Sequence, residues 1–455
     1  MRTEKDSLGD VQVPDNAFYG AQTQRAIDNF SISQQTMPKE FIRVLVMLKA
    51  CAAKANSNLC CISQDKGRAI QQACETVLAE PNMMRHFPVD LYQTGSGTSS
   101  NMNANEVIAH VASLEGDIAL HANDDVNYGQ SSNDVIPSVI HISNALMLQN
   151  QLIPALTHLQ ETILHKSVSL RDVCKMGRTH LMDAMPVTLE QSLKSWAGQL
   201  RHHQRQLEAI APSLHLLPLG GTAVGTGVNA HPDFARECCG ILSAKTGITF
   251  TATGNPFSSM SGMDVPVGLS ANLRGLAIAL MKIANDLRWM NSGPLSGLGE
   301  IALPALQPGS SIMPGKVNPV IPESVAMVCA QVIGYDSAIV VAGQSGNFEL
   351  NVMLPLIGSN LLCSQSLLAK AMLHLADKAI KDFTVNEDKL NSELAQNPVL
   401  VTALNPIIGY TKAAEIAKKA YSENREVLDV AKEMTDLSES ELKKHLDPVL
   451  LTKNQ

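Results

Sequence analysis

The sequence predicts a mainly α protein organised around a bundle of long helices, and three observations carry that expectation. Hydrophobic residues make up 45% of the 455-residue chain, yet aromatics make up only 4%. The core is therefore built from Ala, Leu, Ile, Val and the 19 Met, a palette that suits packed helices better than sandwiches or barrels. Charged residues are only 17%, against roughly a quarter in an average soluble domain. Finally, apolar residues recur every three or four positions over stretches far longer than the ordinary helix of about eleven residues. The length suits roughly two or three domains. Low hydrophobicity and high net charge, the two signs of disorder, are both missing.

Residues 1–134 read as a mixed N-terminal domain. The opening, 8–16, is rich in turn formers, with Pro14 and Asn16 stopping any early helix. Gly-, Ser- and Asn-rich segments cluster at 94–105 and 121–134, with a helix predicted over 105–112. Residues 135–385 read as the central bundle. Its helical pattern begins at Ser138. One stripe is Leu152, Leu156, Leu159 and Ile163, and a second is Leu189, Leu193, Trp196, Leu200, Leu207 and Ile210. Three more long helices are predicted near 266–291, 319–342 and 360–381. Residues 386–455 carry more mixed Lys and Glu and shorter patterns at 411–421 and 437–444, which predicts a small C-terminal helical domain.

Several function classes are disfavoured. The net charge of −8 leaves no basic face for a phosphate backbone, so no nucleic-acid partner is expected. The N-terminus, Met1-Arg2-Thr3-Glu4-Lys5-Asp6, is charged where a signal peptide is apolar. No uninterrupted apolar run of about 18 residues occurs, so no membrane span is expected. Nine Cys without a C-x-x-C spacing read as reduced, mostly buried thiols of a cytosol-like compartment, with no metal or iron–sulfur site.

Four segments place small hydroxyl and amide side chains beside long apolar helices. The first is 94–103, where Ser96, Gly97 and Thr98 suit an anion or, equally, a capped turn. The second, 127–134, contains Ser131, Ser132 and Asn133 just ahead of a long helix, whose N-terminus favours negative charge. An ordinary N-cap would look the same. The third is Arg178-Thr179-His180, whose histidine sits at an interhelix corner as a candidate acid or base, or as a structural residue. The fourth runs from Gln307 through Gly309-Ser310-Ser311-Ile312-Met313-Pro314-Gly315-Lys316-Val317-Asn318-Pro319, a defined but hinge-capable loop offering a serine, a cation and an amide. The G-x-G-x-x-A string within 220–230 lacks a βαβ context and does not read as a dinucleotide site. The four segments together suit a small polycarboxylate. They also suit proton abstraction next to a carboxylate, which needs preorganised donors and a cation where the second charge develops.

These strings resemble the fumarase/aspartase superfamily, the 309–319 loop above all, and within it class II fumarase. Supporting strings are 19–25, 94–103, 123–127, 177–180, 220–227 and 345–351. The resemblance runs from about Arg2 to Asp447. It implies a three-domain fold with a central long-helix bundle, four such chains packed as a homotetramer, and active sites each drawing on three chains. It implies reversible, metal-free and cofactor-free hydration of fumarate to (S)-malate through an aci-carboxylate, by a cytoplasmic enzyme of the tricarboxylic acid cycle. Ser310 is then the base, and His180 handles the water or hydroxyl, oriented by Glu323. The substrate is held by Ser96, Gly97, Thr98, Ser131, Ser132, Asn133, Thr179, Ser311, Lys316, Val317 and Asn318. His121, Asn123 and Asp124 match a peripheral dicarboxylate site, although Ile118 and Ala119 stand where many relatives are basic and Ala122 replaces a usual Pro. The runner-up activity is aspartate ammonia-lyase. A catalytically silent homologue of the same fold is the non-enzymatic alternative.

Overall fold

The computed structural model describes residues 1–116 and 118–453. Helices dominate, as expected, and sheet is confined to short two-stranded pairs. The chain divides into two compact units. One comprises Met1–Pro154, Gln204–Ala277 and Ala330–Ala369, and the other Ala155–His203, Ile278–Cys329 and Lys370–Gln455.

The first unit opens with the antiparallel hairpin β1 (Arg2–Asp6) and β2 (Gly9–Val13). There follow α1 (Ala21–Asn29), α2 (Lys39–Asn58), α3 (Gln64–Ala79), α4 (Thr98–Glu115) and α5 (Ser132–Met147). Helix α2 buries Phe41, Leu45, Leu48, Ala52 and Ala55 and packs against α3, α4 and α5. The starts of α4 and α5 precede the sequence expectation. Helix α4 begins at Thr98, because Gly97 turns the chain at φ +73° and its carbonyl accepts the Asn101 N–H. The Ser and Asn residues that resemble cap formers are instead buried along its first turns. Helix α5 begins at Ser132 rather than Ser138. Ser131 and Asp134 form a reciprocal capping box there, and Pro137 lies inside the helix in its second turn, where it gives up one i→i−4 hydrogen bond.

The chain continues through a wide turn at Leu148–Leu152 into α6 (Ile153–Val168). Next come the hairpin β3 (Cys174–Thr179) and β4 (Met182–Thr188), then α7 (Leu189–Leu214), α8 (Phe234–Thr246) and α9 (Pro256–Ser261). The long helices α10 (Asp264–Met290) and α11 (Val320–Gly343) follow the predicted positions within two residues, while α12 (Leu354–Leu375) begins six residues before the expected 360. Asp336 of α11 is buried and binds Ser270 and Arg274 of α10 at 2.6 Å each.

The second unit carries the C-terminal helices α13 (Glu387–Gln396), α14 (Asn405–Ile408), α15 (Tyr410–Glu423), α16 (Val427–Met434), α17 (Glu439–His445) and α18 (Pro448–Leu451). They close over their own core of Leu404, Ile416, Ala420, Val430 and Leu442.

Three helical stretches, Asp264–Met290, Val320–Gly343 and Leu354–Ile380, are long and apolar enough to cross a membrane by length and composition. Isolated charges such as Arg274 and Asp336 interrupt them, so no unbroken apolar run marks them in the sequence. The apolar window of α11 is only 33% buried within the chain.

Candidate active site

The 309–319 loop of the second unit is strapped shut by its own backbone. Gly309 N–H donates to the Lys316 carbonyl at 2.9 Å, and Asn318 Nδ2 donates to the Gly309 carbonyl at 2.8 Å. A Cβ on residue 309 would lie 2.2 Å from the Lys316 carbonyl oxygen, so only glycine fits. One Asn318 amide hydrogen therefore serves the loop itself. Within the strap, Ser310 Oγ accepts the backbone N–H groups of Ile312 at 3.3 Å and Met313 at 3.2 Å. Two donors aimed at one hydroxyl oxygen favour its negative form, which is what a serine base requires. Ser311, Lys316 and Val317 are exposed, and Lys316 makes no ion pair among the described residues. Glu323 is half-buried in the first turn of α11. A cleft of about 970 Å³ is lined by Lys316, Asn318 and Glu323 with Arg288, Trp289 and Asn386.

Thr179 and His180 sit at the tip of the β3–β4 hairpin, both exposed. His180 at φ +55° and Leu181 at φ +60° form a two-residue turn in the left-handed region. Neither is the Gly or Asn such a turn favours, so each costs roughly 1–2 kcal/mol. The strain is anchored from below by Glu300, whose carboxylate is fully buried and binds both Arg178 and Lys175 of β3, the latter at 3.0 Å. Burial pushes the Lys175 pKa down, and Glu300 works the other way. Among the described residues His180 makes no side-chain hydrogen bond, so the expected orienting contact with Glu323 is not made within one chain.

In the first unit, the starts of α4 and α5 adjoin. The hydroxyls of Ser96 and Thr98 bond each other at 2.7 Å, and a Cβ on Gly97 would lie 3.0 Å from Ile136 of α5. Ser131 caps α5, and the buried Asp134 accepts the N–H groups of Gly220 at 2.9 Å and Thr222 at 3.0 Å. The glycine-rich 220–227 string thus turns two backbone donors toward a protein carboxylate. Burial pushes the Asp134 pKa up, while the N–H donors and Lys49 work the other way. Ser132 Oγ accepts from Asn101 Nδ2 at 3.2 Å, and Asn133 Nδ2 donates to the Ala223 carbonyl at 2.8 Å.

His121, Asn123 and Asp124 share one turn. The Asp124 N–H donates to His121 Nδ1 at 3.2 Å, and the Asp124 carboxylate lies 3.1 Å from the same nitrogen. The neighbouring Asp125 binds the His121 backbone N–H and Lys66. Among the described residues no group of three or more His, Cys, Asp or Glu side chains is placed to hold a metal ion. All nine cysteines are free, and six are buried.

Sequence reasoning missed Lys49, and it placed Asn101 and Asn127 within the 94–103 and 127–134 segments without an individual role; the three link α2, α4 and the segment before α5. The signal for Lys49 was present, since it lies among apolar neighbours on a helix with no solvated face at that point. Glu300 was missed because nothing in its local sequence marks burial.

A lyase family model matches residues 9–334, and a model for the fumarase C C-terminus matches residues 400–453. The chain is 58% identical to a class II fumarate hydratase of Pseudomonas aeruginosa, over 99% of this chain and 98% of that one. It is 55% identical to the class II fumarate hydratase of Xylella fastidiosa, over 99% and 95%. The structure superposes on the crystal structure of class II fumarase from Schistosoma mansoni with a TM-score of 0.95, at 36% identity and 99% coverage of both chains. With identity of this extent running end to end, on a shared fold that carries the strapped serine loop, the chain belongs to the class II fumarate hydratase family of lyases.

Proposed function

We propose that this chain adds water reversibly to fumarate to give (S)-malate. The observation that supports this most directly is the Ser310 hydroxyl, which receives two backbone N–H groups inside a loop closed by Gly309 and Asn318. In the malate-to-fumarate direction Ser310 takes the proton next to one carboxylate, and the second charge that develops on that carboxyl is met by Lys316 and Asn318. His180, on its strained hairpin tip, protonates the departing hydroxyl. Ser96, Thr98, Ser131, Ser132, Asn133 and Thr179 donate to the carboxylates, and His121, Asn123 and Asp124 form a peripheral dicarboxylate site.

That His180 makes no side-chain hydrogen bond among the described residues supports an active site assembled from several copies, with Glu323 of one chain orienting His180 of another. We propose a homotetramer whose apolar central helices cover one another, in place of a membrane. The 1–134, 135–385 and 386–455 segments then act as three domains, in a cytoplasmic enzyme of the tricarboxylic acid cycle. The test is to incubate the purified protein of known solution mass with malate and, separately, with aspartate. Fumarate formed from malate is expected; fumarate from aspartate alone would overturn the reading.

A further inference from the structure

Lys49 lies on α2 and is fully buried, with Leu45, Leu48, Ala52 and Ala53 around it on the same helix. Its Nζ donates to Asn127 Oδ1 at 2.8 Å and Gln130 Oε1 at 3.0 Å, both neutral amide oxygens. Among the described residues no carboxylate pairs with it. Burial pushes its pKa down to about 7, with Asp134 of α5 working the other way; Cys74 of α3 and Cys238 of α8 are the remaining titratable groups that face it. A buried cation whose direct hydrogen-bond partners are all neutral is unfavourable, Asp134 acts on it only without contact, and its place beside the 127–134 segment suits a carboxylate that arrives from outside the chain.

The hydrogen-bond polarity around Lys49 is determined from this one group outward. An ammonium only donates, so Asn127 must turn its oxygen toward Nζ. That same oxygen accepts Asn101 Nδ2 at 3.2 Å, and Asn101 Nδ2 also donates to Ser132 Oγ at 3.2 Å. Both hydrogens of the Asn101 amide are thereby placed. Ser132 is an acceptor on its buried side, which leaves its own O–H to donate outward.

We propose that Lys49 is a positioning residue for the dicarboxylate. Through Asn127 and Asn101 it holds Ser132 as a hydrogen-bond donor, and it places a buried positive charge behind that donor to meet an arriving carboxylate. The proposal rests on the reading of Ser132 as a substrate-binding residue.

The test is a double-mutant cycle on fumarate hydration with Lys49→Met, Ser132→Ala and the double variant, with folding and assembly checked in each. Lys49→Met should lower kcat/KM about 10-fold, mainly through KM. The double variant should lose clearly less than the two single losses combined, because the two residues share one chain of bonds. Additive losses, or unchanged kinetics in a folded Lys49→Met, overturn the proposal alone. Unchanged kinetics in Ser132→Ala overturn the substrate-site reading and the proposal with it. If Lys49→Met does not fold, Asn101→Ala paired with Ser132→Ala runs the same cycle, with additive or unchanged kinetics again overturning the proposal. As a second readout, the wild-type KM should rise as the pH is raised above about 7, where Lys49 loses its charge, and this limb should vanish in Lys49→Met. Persistence of the limb in the variant counts against Lys49.

Discussion

Ser310 depends on its neighbours for reactivity. A free hydroxyl is far too weak a base, and the two backbone N–H groups of Ile312 and Met313 are what the loop adds. Removing the oxygen removes the role without disturbing the strap, which runs through Gly309, Lys316 and Asn318. Ser310→Ala should therefore lower kcat by about 10²–10⁴-fold while circular dichroism and solution mass stay unchanged. Near-normal turnover would remove Ser310 from the role of base. A second residue-scale prediction concerns pH. His141 in α5 is buried, and burial pushes its pKa down to about 4. The folded state favours the neutral ring, so this contribution is fully present above the unfolded value of about 6.5 and is lost as the pH falls from there toward 4. It amounts to about 3 kcal/mol at most. Urea unfolding at pH 7 and pH 5 should show a smaller loss for His141→Gln than for the wild type; equal losses would refute the assignment.

At the scale of elements, the hairpin tip shows strain held by burial. His180 and Leu181 both sit at positive φ, and the buried Glu300 beneath them holds Arg178 and Lys175. Leu181 is 68% exposed, so its side chain contributes little packing within the chain. Leu181→Gly should raise stability by about 1 kcal/mol, because glycine adopts that φ without penalty. Thermal unfolding measures this, and a lower midpoint would mean that Leu181 makes contacts beyond its own chain. The starts of α4 and α5 carry a different lesson. Buried Ser and Asn side chains such as Ser100, Asn101 and Asn103 belong to helix α4, although local propensity reads them as cap and turn formers. Tertiary burial overrode the local preference, so the boundary was not legible.

At the scale of the molecule, the low charge content has a physical account. Met327 and Val341 are 67% and 55% exposed, two heptads apart on one side of α11, with Val340 adjacent. An apolar helix face of this kind is costly in water and calls for cover. Placing a charge there should break the proposed assembly. Met327→Glu is expected to shift the protein in analytical ultracentrifugation from a four-chain mass to smaller species. A wild-type protein that persists as a folded monomer would contradict the assembly outright.

The sequence by itself determined the helical class, the positions of α10 and α11 and the identity of the serine loop, because these rest on periodicity and on contiguous residues. The tertiary structure alone decided what Lys49, Asn101 and Glu300 do. Each acts through partners far away in the chain, Lys49 through Asn127 and Glu300 through Arg178. Burial and hydrogen-bond polarity arise only when separate segments meet, and no local pattern encodes them.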